Sequence, residues 1–350
     1  MYRPGAGGDF DRRSSGKRAE REQHSWSASK DQLRRTVNHA PEVVINVKGS
    51  RLAKNNDRMA NKGVLRYMMY ISRNGRLLTI NERDDPLDGP EAIRETHASW
   101  DLEMQRMRGA KGEALHPSFN IIFSMPAKTD PDIVLEAVQA LARDHFSGHQ
   151  YVMALHTQDT DPSNDPPEHP HVHLILRAEN EDGVRIHIRK TTLRIWRDQF
   201  AAELRARGIE ANATSRAERG KSLKAVRGAE WHIQKRYEQD LRKGKHAVLP
   251  RAKTARYLDA ARAVRDGLSE SKPWEIAMAA RRRDILRELV RNAGRLRQEG
   301  DVEFADQVDR YISELPPLDT ESRHLQRELV QQVQRRLRER TQDNSKNRLK

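Results

Sequence analysis

His171 and His173 stand two residues apart in HTQDTDPSNDPPEHPHVHLIL, which runs from His156 to Leu176 and holds four of the chain's 14 histidines. A β-strand turns alternate side chains to opposite faces, so residues two apart point the same way. If Val172, Leu174 and Leu176 form the buried face, His171 and His173 project together from the other. Two neutral imidazoles held side by side on a rigid strand make half of a metal site. The spacing alone fits an exposed polar face as well as it fits a metal. His156 closes the preceding apolar run, and antiparallel pairing through the Pro-rich loop would bring it beside His171. Three imidazoles leave open positions for a phosphate oxygen and a water, as a cation needs to act as Lewis acid on a phosphodiester. The acidic DTD segment, Asp159 to Asp161, lies at the same edge, whereas His169 and His187 read as phosphate or solvent contacts.

A nucleophile is the second requirement. MMYISRNG places Tyr70 just before a turn, with Tyr67 one helical turn earlier. A phenol with a pKa near 10 attacks poorly unless a metal, a base or cationic surroundings stabilise the phenolate. Either tyrosine is equally readable as a half-buried aromatic with its hydroxyl turned outward.

These side chains need a scaffold, and the pattern supplies one. PEVVINVKGS alternates as a first strand; NKGVLRYMMYISRNG reads as a short helix stopped at Asn74-Gly75; SFNIIFSMP is a second strand. TDPDIVLEAVQALARDHF is a helix capped by Asp130 or Thr129, with Val134, Val138, Leu141 and Phe146 at helical spacing. HQYVMALHT and HVHLILRAE follow as strands, and GVRIHIRK as a further strand after the Asp182-Gly183 turn. Thr191 or Thr192 then caps a helix bearing Leu193, Trp196, Phe200 and Leu204. The order describes one α/β domain over residues 40–222. Residues 1–39, rich in Gly, Ser, Arg and Lys, read as a disordered basic arm. From 223 to 350 the strands vanish, and five amphipathic helices lead to a basic tail that fits an export signal and a solvated helix end equally well.

The 65 Lys and Arg residues against 51 Asp and Glu leave a net charge of +14, which favours a polyanionic partner, nucleic acid first. With no cysteine, any metal must be held by His and carboxylate. The twin Arg near the start has no apolar segment after it, and no apolar run approaches the roughly 20 residues of a spanning helix. A cytoplasmic protein without membrane insertion is the expectation.

Four motifs in order, MMYISRNG, FNIIFSMPAKTD, ALHTQDTD…EHPHVHLIL and NATSRAERG, resemble those of conjugative relaxases, the HUH-type nickases of plasmids and integrative elements. The likeness is to the mobilisation-nuclease branch that includes the agrobacterial T-DNA border endonuclease, and it spans roughly residues 42–220. It implies an antiparallel-sheet, two-layer sandwich with an RRM-like core, followed by an all-α region. It also implies Tyr70 as nucleophile, through its spacing to Gly75, and His156, His171 and His173 as metal ligands for Mg²⁺ or Mn²⁺. Ser124 would hold DNA near the nick. The supporting carboxylate is read as Asp159, with Asp161 as substitute, because the loop between the histidines departs from the family's spacing. Tyr67, Arg73, Arg189 and Lys190 complete the expected DNA contacts.

The implied activity is nicking of one strand at an origin of transfer through a 5′-phosphotyrosyl adduct, followed by piloting of that strand. Accessory relaxosome proteins and a type IV coupling protein are the implied partners, with bacterial cytoplasm as location and export beside the DNA. Two rivals stand: a non-catalytic accessory DNA-binding protein, and a rolling-circle replication initiator, in which the tyrosine follows the H-x-H pair.

Overall fold

The computed structural model describes residues 26–50, 57–102, 108–163, 165–223, 228–245, 251–267 and 272–347. They form two compact units, Met1–Ala213 and Thr214–Lys350. The first 25 residues of the expected arm, and the end of the basic tail, lie outside the described residues.

In the first unit, a helix over 26–37 (α1) precedes β1 (Val44–Gly49), α2 (Asp57–Ile71), β2 (Thr79–Asn81), α3 (Gly89–Ser99), β3 (Ser118–Ser124), α4 (Pro131–His145), β4 (Tyr151–His156), β5 (His171–Arg177) and α5 (Lys190–Ala206). The strands make one five-stranded sheet in the order β1-β3-β5-β4-β2, and every pairing is antiparallel. β5 therefore lies at the centre, flanked on both edges. That position explains the one strand that sequence pattern predicts and the structure lacks. The segment GVRIHIRK has no free edge beside β5 to occupy. It makes a single bridge, Glu179 to Arg185, and then packs Ile186 and Ile188 on the core.

The period of two sorts the sheet's side chains onto two faces. Val172, Leu174 and Leu176 of β5 join Met153, Ile121, Phe123 and Ile45 under α4 and α5. α4 begins where expected, with Asp130 as its cap accepting from the Asp132 amide at 3.0 Å and Pro131 in the first turn. α5 starts one or two residues before the expected cap. Thr192 acts from inside the helix, its Oγ1 accepting from the Arg189 amide at 3.2 Å. Trp196, Phe200 and Leu204 are buried as their spacing requires.

On the opposite face, Val152, Ala154 and Ile175 are covered by Val64, Met68 and Ile71 of α2 and by Ile93 and Trp100 around α3. This second cluster adds a partial third layer over β4 and β5. Neither β2 nor α3 is among the elements the sequence pattern suggests. β2 is three residues long, too short to show a period, while α3 does carry Asp88 and Pro90 at its start. α1 also replaces disorder over part of the expected arm. Leu33 and Val37, one helical turn apart, are buried, and Thr36 Oγ1 accepts from the Asn212 side chain at 3.1 Å.

The second unit contains α6 (Gly228–Arg242), α7 (Arg251–Asp266), α8 (Pro273–Gln298), α9 (Val302–Glu314) and α10 (Glu321–Asn347), the five helices of the amphipathic pattern. α8 and α9 pack through Ile285, Leu289, Leu296, Phe304 and Val308. Among the described residues no helix is long and apolar enough to cross a membrane.

Met68 is fully buried at the seat of α2 on the sheet. Met68→Ala should lower unfolding free energy by about 2–5 kcal/mol, by lost burial and the cavity left behind. Urea denaturation measures this, and a loss below about 1 kcal/mol would mean that α2 is not anchored there.

Candidate metal centre

β4 and β5 are in register with His156 opposite His171 and Ala154 opposite His173. Partners across an antiparallel pair share a face. His156, His171 and His173 thus emerge together on the α2 side, and they are 0%, 5% and 6% exposed. Their ring centroids lie 4.6–5.3 Å apart. Asp161 joins them, and one ligand atom from each of the four residues falls within 4.8 Å of all the others.

The hydrogen bonds fix which nitrogens face inward. His156 Nε2 donates to the carbonyl of Ile71, the last residue of α2, at 2.7 Å, which leaves Nδ1 toward the cluster. That Nδ1 is buried without a hydrogen-bond partner, 3.5 Å from Asp161 Oδ2. His171 Nδ1 donates to the His169 carbonyl at 3.2 Å, so Nε2 faces Asp161 Oδ2 at 3.0 Å. His173 Nδ1 is hydrogen-bonded to the Tyr67 hydroxyl at 3.0 Å, leaving Nε2. Neutral imidazoles present lone pairs at these inward nitrogens, and a carboxylate presents another. Acceptors facing one another at such distances form a cluster that could hold a metal ion. A set of three imidazoles and one carboxylate, with no thiolate, suits a divalent metal.

Burial holds the His171 and His173 imidazoles neutral. It pulls His173 down from 6.5 to about 3, helped by repulsion from the other two histidines, and it also lowers His171. Burial alone would raise the Asp161 carboxyl. The Ser163 amide, 2.7 Å away, together with His171 and His156, holds it below the ordinary carboxylate value instead.

Asp161, the substitute in the sequence reading, is the carboxylate brought to the histidines; Asp159 is exposed. A turn explains the difference. After β4 the chain bends, with the Thr160 and Asp161 amides both bonding the Thr157 carbonyl, at 3.2 and 2.9 Å. Four residues are spent in the bend before a side chain points back at His156.

Tyr67 and Tyr70 lie one turn apart on α2, their rings stacked at 5.8 Å. Each meets His173 edge-on, at 6.0 Å for Tyr67 and 6.5 Å for Tyr70. Their environments differ. Tyr67 is largely buried, and desolvation pushes its hydroxyl up to about 12 against a hydrogen bond from Asn120. Tyr70 is 43% exposed, and its hydroxyl is raised first by partial burial and then by Asp161. It lines an open cleft with Arg66, Arg73, Arg76 and Arg94. Behind it Arg73, Asn74 and Gly75 all take positive φ, at 50°, 58° and 76°. Gly75 is required twice, by that conformation and because a Cβ there would lie 2.1 Å from the Gly89 carbonyl carbon.

Ser124 is the register partner of His171 from β3, buried beside the centre. Arg189 and Lys190 are not brought there. They head α5, which covers the other face and runs antiparallel to α4, with Gln199 beside Asp144 and Arg207 beside Glu136. Asn120 is the neighbour that sequence offers no signal for. It is polar within an apolar strand, a pattern common on half-exposed faces.

Residues 70–208 match the family model described as "Relaxase: MobA/VirD2-like, nuclease domain". The span begins at Tyr70 and includes all four residues of the cluster. No curated protein matches the chain. A solved structure described as "Molecular Basis of Vancomycin Resistance Transfer in Staphylococcus aureus" aligns with 50% of this chain and 99% of its own, at 13% identity and a TM-score of 0.30. A likeness that low carries no argument about this protein.

The depressed His173 has a consequence for stability. Between pH 3 and 6.5 the unfolded chain binds a proton at this residue that the folded chain refuses, so folded stability rises with pH across the window. In metal-free protein the melting temperature should fall as pH is lowered from 7 to 4.5, and His173→Gln should flatten that dependence. Equal pH slopes for wild type and variant would contradict the buried neutral imidazole.

Proposed function

We propose that the protein is a DNA relaxase that nicks one strand at an origin of transfer and remains joined to it through Tyr70. The observation that carries this reading is the placing of a half-exposed tyrosine, within an arginine-lined cleft, 6.5 Å ring to ring from one of three clustered histidines. The family-model match over residues 70–208 supports it independently.

His156, His171, His173 and Asp161 would hold the divalent cation, Mg²⁺ or Mn²⁺, with three nitrogen donors favouring Mn²⁺. Bound there, it supplies positive charge against the developing charge of the phosphate and lowers the cost of phenolate. The chain's own residues do the rest. Tyr67 holds His173 in one tautomer and orientation, as outer hydrogen bonds to metal histidines do. Arg66, Arg73, Arg76 and Arg94 bind the backbone phosphates around the scissile bond. Tyr70 Oη forms a bond to phosphorus as the bond to the 3′-oxygen breaks; its proton passes to solvent, and the leaving oxygen takes one up as the 3′-hydroxyl. One phosphodiester replaces another, so the step runs in both directions and can rejoin ends. In-line attack requires a single strand freed from the duplex. The exchange suits transfer of the strand with the protein attached, through a coupling protein and accessory relaxosome proteins of a bacterial cell.

A non-catalytic accessory role leaves the inward lone pairs unexplained. A rolling-circle initiator would use a tyrosine after His173, and Tyr237, Tyr257 and Tyr311 all lie on helices of the second unit.

The test is nicking of a supercoiled plasmid carrying the cognate transfer origin, with and without EDTA. Wild type should relax the plasmid only with the divalent ion present. His171→Ala should lose at least about 100-fold in nicking. Tyr70→Phe should form no covalent adduct yet bind the single-stranded origin near normally, and Tyr67→Phe should form it more slowly. Nicking by Tyr70→Phe at the wild-type rate would overturn the assignment.

A further inference from the structure

The second unit contains an open cleft of about 450 Å³ that the proposed chemistry does not use. Its floor is apolar, formed by Ala277 and Met278 of α8 with Leu318, and no acidic side chain lines it. Its cations are Arg216, Lys221, Arg281 and Arg282. Arg282 is anchored, donating to the Pro316 carbonyl at 3.0 Å. Arg216, Lys221 and Arg281 make no ion pair and no side-chain hydrogen bond among the described residues. All three are exposed, so their charges are open to an anion from solution beside the apolar floor.

The wall is built to stay in place. The loop carrying Arg216 and Lys221 is fastened at the Glu218 carbonyl, which accepts from Tyr311 at 3.0 Å, and at Ser222 Oγ, which accepts from the Asp319 amide at 3.0 Å. Gly220 sits at φ 70°, so close to its neighbours that a Cβ would meet Arg282 Nη1 and Pro316 Cδ at 2.9 Å. One helical turn before Met278, on the same face of α8 as Arg281, stands Trp274, 57% exposed.

We propose that this cleft is a subsite for single-stranded DNA: phosphates pair with Arg216, Lys221 and Arg281, and a base lies on the apolar strip of α8 that leads from Met278 to Trp274. The inference rests on the DNA-processing reading of the first unit. An apolar platform flanked by exposed cations matches a strand whose bases are unpaired, because each nucleotide offers a flat apolar face and one negative charge. A duplex hides the bases and leaves the floor unused.

The experiment uses the full chain and a fluorescent dT oligonucleotide of about 20 nucleotides, with anisotropy read at several salt concentrations. The triple variant R216Q/K221Q/R281Q should weaken binding about tenfold or more and make the log–log salt slope less negative by roughly 2, since each lost phosphate contact on a single strand removes about 0.7. Trp274→Ala should weaken binding about fivefold or more and Trp274→Phe much less. On a saturating single-stranded origin oligonucleotide, the same variants should form the Tyr70 adduct as wild type does. Unchanged affinity and slope in the triple variant would overturn the subsite, and so would an equal loss on duplex DNA. If wild type forms no adduct while the slope still falls, the nicking reading fails and the subsite stands.

Discussion

The hydrogen bond from His156 Nε2 to the Ile71 carbonyl is the joint on which the site depends. It ends helix α2 by satisfying a carbonyl that has no partner within the helix. It fixes His156 in the tautomer whose Nδ1 faces the cluster. It also ties the last turn of α2, with Tyr70 one residue earlier, to the end of strand β4. One contact at 2.7 Å therefore sets both the nitrogen that His156 turns to the cluster and the position of Tyr70 beside it. The left-handed run from Arg73 to Gly75 then turns the chain away without extending the helix over the cleft.

Burying three imidazoles and a carboxylate beside one another is unfavourable without a cation, because each presents electron density to the rest. The fold tolerates this through position. β5 is the central strand, so His171 and His173 stand on backbone that is hydrogen-bonded to a neighbour on both sides. The α4/α5 face, closed by Phe123, Phe200 and Trp196, supplies the apolar burial that offsets the polar centre opposite. Metal affinity and folded stability are coupled in such an arrangement, since the ligand atoms meet only in the folded chain.

Much of this is legible in the amino-acid sequence. The alternation in HVHLIL assigns two histidines to one face, and the length of the Pro-rich loop allows the antiparallel pairing that adds His156. The helical spacing of Tyr67 and Tyr70 places both on one side of α2. Asp161 was harder, because counting along the chain does not reveal that TQDT folds into a turn before a carboxylate can point back. The separation of Arg189 and Lys190 from the site was invisible for a different reason. A basic segment after a strand carries no mark of which face its helix will cover. GVRIHIRK alternates well enough to be a strand, and only the occupied edges of β5 forbid it. The contact of Asn120 with Tyr67 depends on side-chain packing between elements distant in sequence, which periodicity does not encode.

The central claim is that three imidazole nitrogens and the Asp161 carboxylate converge on one cation. Pulsed electron paramagnetic resonance of Mn²⁺ added to metal-free protein counts the coordinating nitrogens directly. The account predicts one tightly held ion coupled to three imidazole nitrogens, falling to two in His173→Gln. An ion held with no nitrogen coupling, or with the same coupling after that substitution, would contradict it.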